Sequence, residues 1–122
     1  MRYMMLIYVG DGAGPEQGSE EQIAEMQEWF GYTQALEEAG VLLGGDALQG
    51  IDTAVTVRVR DGETATTDGP FAETKEALGG YYMIDVESED EAVAWAAKIP
   101  SVRYGSIEVR PIFELADLQQ QA

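Results

Sequence analysis

The first strand of this chain is apolar on both of its faces, and few folds can accommodate such a strand. Residues 3 to 9 alternate between the two faces: Tyr3, Met5, Ile7 and Val9 on one, Met4, Leu6 and Tyr8 on the other. A strand of this kind lies inside a sheet that is covered on both sides. One cover is expected to be a partner subunit, because burying a few hundred Å² of apolar surface at roughly 25 cal/mol per Å² stabilises an assembly by several kcal/mol. The pattern therefore predicts a homodimer in which sheet packs against sheet.

The length fits one domain with its own hydrophobic core, since the chain has 122 residues. We predict a single domain over residues 1–114 and a frayed, glutamine-rich tail over residues 115–122. No stretch reaches the ~18 consecutive apolar residues that a membrane helix needs. The apolar N-terminus runs into a Gly-rich loop without a small-residue cleavage site, so it is predicted to be a strand of a cytoplasmic protein rather than a signal peptide.

The chain is strongly acidic. Its 23 Asp and Glu residues outnumber 7 Lys and Arg residues, the formal net charge is −16, and no basic side chain occurs between Tyr3 and Val57. Such a surface repels phosphate groups, which argues against binding to nucleic acid or to an anionic membrane. A well-solvated surface and adaptation to a salty interior would both explain this charge.

Three residue types are missing from the sequence: Cys, His and Asn. The absence of Cys excludes a disulfide, a thiolate nucleophile and a zinc-thiolate site. The absence of His excludes a Ser-His-Asp triad, an imidazole base and a His-ligated metal. We therefore predict neither a metal site nor a cofactor.

The first helix is predicted to run from Ser19 or Glu20 to Ala39. Ser19 is placed to cap it, with Gln22 at the position that completes a capping box. Gly40 follows at the position where a left-handed residue ends a helix. Spacings of three and four residues predict that one apolar stripe faces the core while Glu21, Glu25 and Glu28 face away. The predicted stripe consists of Ile23, Met26, Phe30, Thr33 and Leu36.

The remaining elements complete an α+β pattern. Residues 41–52 are predicted to form a Gly-rich connection with a short extended piece. A hairpin is predicted from strands at 55–60 and 64–67 around Asp61-Gly62, followed by a strand at 79–86. A helix is predicted at 88–99, capped by Ser88 and Glu91, before a last strand at 106–112. The order β-α-β-β-β-α-β predicts a ferredoxin-like antiparallel sheet with helices on one face.

Two segments resemble a known family. The stretch 66–86, centred on Asp68-Gly69-Pro70-Phe71, and the closing stretch 103–111 are similar to the DGPF proteins, a branch of the YCII-related (YciI-like) family. The resemblance covers nearly the whole chain and implies a dimeric α+β barrel type of fold. It also implies a link to extracytoplasmic-function sigma factors, but it implies no general activity. The catalytic His-Asp pair of the YciI-type branch cannot be carried over, because this chain has no His.

Asp68 is the predicted catalytic residue. Its carboxylate would act as a base or hydrogen-bond acceptor at the mouth of a pocket. The alternative is a structural cap, in which the carboxylate accepts N–H groups of the turn made by Gly69 and Pro70. Phe71 is predicted to fill the core.

Ligand-binding candidates are the cations and phenols near these segments. Lys75 is one of only two lysines and could bind an anion, although a surface ion pair is the alternative. Arginines on a shared sheet face could clamp a carboxylate or form cross-subunit salt bridges. Tyrosines could line a pocket or simply pack on the sheet. The candidates are Tyr8, Lys75, Tyr81, Tyr82, Arg103, Tyr104 and Arg110.

Three functions follow from these observations. The chain could be an accessory protein that binds a small anionic or aromatic ligand as a homodimer. It could be a cofactor-independent lyase or isomerase, which would need Asp68, a Tyr and an Arg to converge on one cavity. It could also be a structural or partner-binding dimer linked to sigma-factor regulation.

Overall fold

A computed structural model describes residues 1–121 and forms a four-stranded antiparallel sheet, a separate two-stranded hairpin and three helices. In chain order the elements are β1 (Arg2–Gly10), α1 (Glu20–Glu38), β2 (Leu42–Ala47), β3 (Val55–Arg60), β4 (Glu63–Asp68), β5 (Glu76–Asp85), α2 (Glu89–Ala96), β6 (Ser106–Pro111) and α3 (Leu115–Gln121). The strand order of the large sheet is β2-β5-β1-β6, and β3 pairs with β4. This arrangement confirms the predicted α+β fold class.

β1 lies at the centre of the sheet and organises the core. Its Tyr3, Met5 and Ile7 side chains are buried against the helices, and Met5 is fully buried. Leu36 of α1 and Ile84 of β5 complete the centre of the core. Met4, Leu6 and Tyr8 alternate onto the other face of the sheet, where each remains half-buried.

The sheet includes a strand that differs from the prediction. β2 comes from the Gly-rich connection after α1 and pairs with β5, whereas the predicted middle strands form their own hairpin. Glycines explain the pairing, because a Cβ at Gly45 would lie 2.7 Å from the Tyr81 carbonyl oxygen and one at Gly80 would lie 2.9 Å from that of Asp46. Only residues without a side chain allow the two strands to approach this closely.

Helix α1 begins as predicted but buries a different face. The Ser19 hydroxyl accepts a hydrogen bond from the Gln22 amide at 3.1 Å, which confirms the cap. The predicted core stripe is correct at Leu36, which is fully buried, but wrong at Met26 and Phe30, which are 49% and 69% exposed. The same holds for Ile23, which is 55% exposed.

The face of α1 that packs on the sheet carries Glu25, Tyr32 and Leu36, all buried. The Tyr32 hydroxyl donates to the Trp95 carbonyl oxygen at 2.8 Å, which fixes the rotation of the helix against α2. Glu25 was predicted to face solvent, and this prediction is also wrong. The neighbouring stripe, with Met26 and Phe30, borders a cavity instead of the core.

The second half of the chain follows the predicted pattern closely. The Glu91 amide donates to the Ser88 hydroxyl at 3.2 Å, which confirms the cap of α2. Ala92, Ala96 and Ile99 are buried as expected. The segment 115–122 was predicted to fray; Leu115–Gln121 forms the short helix α3, and residue 122 lies outside the described residues.

The signature turn after β4 is exposed rather than part of the core. Phe71 is 79% exposed, so its predicted core position is wrong. Gly69 has a φ of +104°, which a residue with a side chain adopts only under strain. Its amide donates to the Ala54 carbonyl oxygen at 2.7 Å and thereby closes the base of the hairpin. Among the described residues, no helix is both long and apolar enough to cross a membrane.

Candidate functional site

A cavity of about 480 Å³ lies between α1 and the sheet. Its helical wall includes Trp29, Phe30 and Thr33, and its sheet wall includes Ile7 and Tyr82. The glycines at the β2–β5 junction help to keep the space open, because they contribute no side chains to the sheet wall. The result is an opening lined mainly by aromatic rings.

The aromatic wall is held in place by ring contacts. Trp29 and Tyr82 stack with their ring centroids 6.3 Å apart and an interplanar angle of 17°. Tyr32 supports Tyr82 from behind in an edge-on contact at 5.4 Å. The Tyr82 hydroxyl lies 2.7 Å from the Thr33 hydroxyl, with either group able to donate. These contacts fix the ring positions before any ligand arrives.

One side of the cavity carries a buried acid. The hydroxyl of Tyr104, which lines the cavity, donates to Glu25 Oε1 at 2.7 Å. Glu25 is only 8% exposed, so its charge requires partners within the protein. Arg103 supplies a second one, with Nη2 3.5 Å from Glu25 Oε1 and 3.1 Å from Glu28 Oε2. We call Glu25, Arg103 and Tyr104 the polar cluster.

Tyr104 keeps its proton at neutral pH. Burial raises the pKa of the Tyr104 phenol well above its ordinary value, and the hydrogen bond to Glu25 raises it further. Burial is also the main reason that the pKa of Tyr32 is raised. Both groups therefore act as neutral hydroxyls.

Loop geometry holds Tyr104 in position. The loop after β1 packs over its ring, because a Cβ placed on Gly14 would lie 2.8 Å from two ring carbons. Gly105 follows Tyr104 and passes close to the Tyr8 carbonyl oxygen, where a side chain would collide with the backbone. The contact of Gly14 with Tyr104 places the loop from residue 10 to 15 beside the cavity.

Ser101 adds an unusual group to the same region. It lines the cavity and is only 2% exposed. Its hydroxyl is the buried side-chain polar atom for which the described residues provide no hydrogen-bond partner. Because buried hydroxyls are nearly always paired, this one calls for a physical explanation.

Two of the predicted ligand-binding residues, Tyr82 and Tyr104, line the cavity with their side chains. Tyr81 borders the cavity, but strand alternation places its ring on the opposite face of the sheet, where its hydroxyl donates to Asp46 Oδ2 at 3.3 Å. Arg103 is connected to the cavity through its ion pair with Glu25. The residues that reach the cavity come from β5 and from the turn before β6.

The other predicted residues lie elsewhere. Tyr8 and Arg110 belong to the opposite face of the sheet, and Arg110 pairs with Glu108 at 3.3 Å. Lys75 lines a second, smaller cavity of about 210 Å³. Asp68 is exposed at the end of β4 and lines neither of these two cavities. Its catalytic role and its capping role both stay predictions.

Three residues of the site were missed at the level of sequence: Glu25, Trp29 and Ser101. A signal for the first two did exist, since Glu25, Trp29, Tyr32 and Leu36 follow one another at helical spacings of four, three and four. The acid at the start of this series led to its being read as the solvent face. Ser101 carried no signal, because its burial depends on the packing of the turn before β6.

Residues 1–116 match the model of the YCII-related domain. The chain belongs to the YCII-related family. This membership confirms the resemblance of the signature segments.

Two relatives illustrate the family and the fold. An uncharacterised protein of Rhizobium meliloti (strain 1021) is 38% identical over 114 residues, which cover 92% of each chain. The 5-chloro-2-hydroxyhydroquinone dehydrochlorinase of Burkholderia phenoliruptrix AC1100, in complex with 2,5-dihydroxybenzoquinone, has a similar structure with a TM-score of 0.54. That match covers 93% of this chain and 95% of the other at 14% identity, so it shows the fold alone.

Proposed function

We propose that this protein binds a small, neutral aromatic molecule in the cavity between α1 and the sheet. The observation that carries the proposal is the cavity's composition: about 480 Å³ of space, aromatic walls, and a few polar groups at fixed positions. Ligand sites usually have 300–1,000 Å³ and this balance of apolar and polar groups. A flat ring stacked between the aromatic walls would gain both apolar burial and ring contacts.

The charge distribution favours a neutral ligand over an anionic one. The residues that line the cavity in the described structure include neither Lys nor Arg. A chain with a net charge of −16 also repels anions at long range. Of the two ligand classes predicted from sequence, the aromatic one therefore has the stronger support.

A cofactor-independent enzyme is the second candidate function. The Burkholderia neighbour is a dehydrochlorinase in complex with a single-ring compound, which shows that this fold can hold such molecules. The enzyme hypothesis based on Asp68 requires that Asp68, a Tyr and an Arg converge on one cavity. Within a single chain this requirement is not met, because Asp68 does not line the cavity that Tyr104 lines. We therefore place ligand binding ahead of catalysis.

Fluorescence titration with naphthalene tests the binding proposal, because Trp29 lies in the cavity wall. We expect saturable quenching by the wild-type protein. Ala47→Phe, which adds a ring at the cavity edge, should weaken binding at least tenfold. Ala65→Phe is the matched control, since Ala65 is an exposed strand alanine on the separate hairpin. Absence of saturable binding, or equal binding by both variants, would overturn the proposal.

We also propose that two copies pack through the open face of the sheet. In the register of β1 with β5, Met4 lies opposite Met83 and Leu6 opposite Tyr81, so an apolar band crosses this face. These residues are half-buried in the single chain, and a second copy would cover them. Sedimentation equilibrium at micromolar protein tests this proposal, and a stable monomer would contradict it.

A further inference from the structure

The polar groups of the cavity favour a particular class of aromatic ligand. A phenol hydroxyl has one proton to donate and can also accept hydrogen bonds. Tyr104 has committed its proton to Glu25 at 2.7 Å. Its oxygen therefore offers only lone pairs to anything else that approaches it. The direction of this hydrogen bond defines what kind of ligand group can bind there.

We infer that the cavity selects hydroxylated aromatic compounds, the phenols, by accepting a hydrogen bond from the ligand hydroxyl at Tyr104 Oη. This inference rests on the proposed function, since it requires that an aromatic ring enters the cavity. The polar cluster then has a role in ligand selection in addition to its role in stabilising the fold.

The surroundings of Tyr104 keep the hydrogen bond in this direction. Glu25 is buried and can only accept hydrogen bonds when ionised, so it cannot turn the phenol around. The charged groups that face the pair are Glu28 and Arg103, and Arg103 contacts both carboxylates. The single guanidinium offsets part of the negative charge of the two carboxylates, and the hydrogen bond runs from Tyr104 to Glu25.

A second observation comes from Ser101, three residues before Tyr104. Its hydroxyl is buried without a partner among the described residues and belongs to the lining of the same cavity. A ligand hydroxyl that reached both residues would accept from Ser101 while it donates to Tyr104. A carbonyl group on the ligand could accept from Ser101 but would meet lone pairs at Tyr104. A ligand without polar groups would satisfy neither residue.

The rest of the lining offers few polar side chains. Among the described lining residues, the side-chain donors left for a ligand are the indole of Trp29, Ser101 and the one proton left by the Thr33–Tyr82 pair. A ligand hydroxyl, which donates as well as accepts, therefore suits this lining better than a group that only accepts.

Three naphthalene derivatives of similar size test the inference by fluorescence or calorimetric titration. 2-Naphthol donates and accepts, 2-naphthaldehyde only accepts, and 2-fluoronaphthalene has no donor. We expect the wild-type protein to bind 2-naphthol about tenfold more tightly than 2-naphthaldehyde. A tenfold difference in affinity corresponds to about 1.4 kcal/mol, which is the contribution of one good hydrogen bond. Equal or tighter binding of 2-naphthaldehyde would overturn the inference.

The variant Tyr104→Phe removes the acceptor while it keeps the ring. We expect the ratio of 2-naphthol affinity to 2-fluoronaphthalene affinity to fall about tenfold in this variant. Tyr32→Phe is the matched control, because its hydroxyl donates to the Trp95 carbonyl oxygen and it does not line the cavity. In that variant the ratio should remain unchanged. An unchanged ratio in Tyr104→Phe would also overturn the inference.

The experiment separates this inference from the broader proposal. If all three compounds bind with equal affinity, the aromatic cavity stands and selection by Tyr104 falls. If none of them binds, the proposed function falls as well. The comparison of ligands on the wild-type protein decides the question even if Tyr104→Phe fails to fold.

Discussion

Replacing Tyr104 by Phe should lower the free energy of unfolding by about 2 kcal/mol. The substitution removes a hydroxyl that donates to Glu25 at 2.7 Å, and Glu25 is 8% exposed. Hydrogen bonds to charged groups contribute about 1.5–3 kcal/mol, because the buried charge otherwise loses a partner. Arg103 compensates only in part, since its side chain is 58% exposed and lies 3.5 Å from Glu25.

A double-mutant cycle isolates this interaction. Urea unfolding would be measured for the wild type, Tyr104→Phe, Glu25→Gln and the double variant at one protein concentration. We expect a coupling energy of about 1 kcal/mol or more. The exposed pair of Gln34 and Glu38, 3.1 Å apart on α1, is the control and should couple by about 0.3 kcal/mol. A coupling energy below about 0.5 kcal/mol for the buried pair would refute the reasoning.

Three further predictions concern the loop, the pH dependence and the sheet face. Gly14→Ala should destabilise the protein and weaken 2-naphthol binding, because Gly14 has a φ of +84° and a Cβ would press on the Tyr104 ring. Equal thermal midpoints for the variant and the wild type would contradict this prediction. Stability should fall as pH rises above about 10, since the unfolded chain loses tyrosine protons there while burial raises the pKa of Tyr32 and Tyr104 in the folded state. Absorbance at 295 nm should then show these two phenols ionising together with the loss of circular dichroism, and ionisation of all six tyrosines at constant circular dichroism would contradict it. Leu6→Lys should shift the protein toward monomer in sedimentation equilibrium, because it places a charge in the apolar band. Val57→Lys, on the separate hairpin, is the control and should not change the distribution. An unchanged distribution in Leu6→Lys would count against the proposed interface.

Local chemistry made the caps, the turn and most elements predictable from the sequence. Ser19 and Ser88 occupy cap positions that need only their nearest neighbours, and both caps form. β2 was predicted only as a short extended piece and not as a strand of the sheet, because residues 42–47 contain two glycines and lack the alternation of a half-buried strand. Its pairing with β5 depends on the close approach at Gly45 and Gly80, which is a tertiary property.

The candidate site was predictable only in part, for a related reason. The sequence pattern places Tyr81 and Tyr82 on a strand and Tyr104 in the turn before the last strand. It does not show which of these segments face each other in the fold. The signature turn drew attention to Asp68, although its conspicuous residues shape an exposed hairpin. The polar cluster joins residues 79 positions apart through the hydrogen bond from Tyr104 to Glu25, and no local pattern encodes that distance.

The hydroxyl of Ser101, which has no hydrogen-bond partner among the described residues, indicates that this region is not optimised for stability alone. A buried hydroxyl without a partner costs about 1–3 kcal/mol of desolvation, and Ala would avoid that cost with little loss of volume. Ser101→Ala should therefore raise the free energy of unfolding of the ligand-free protein by about 1 kcal/mol and lower its affinity for 2-naphthol. Urea unfolding and the naphthol titration measure the two effects on the same sample. If stability falls instead, the hydroxyl has a partner in solution, and its burial gives no reason to expect a ligand hydroxyl beside it.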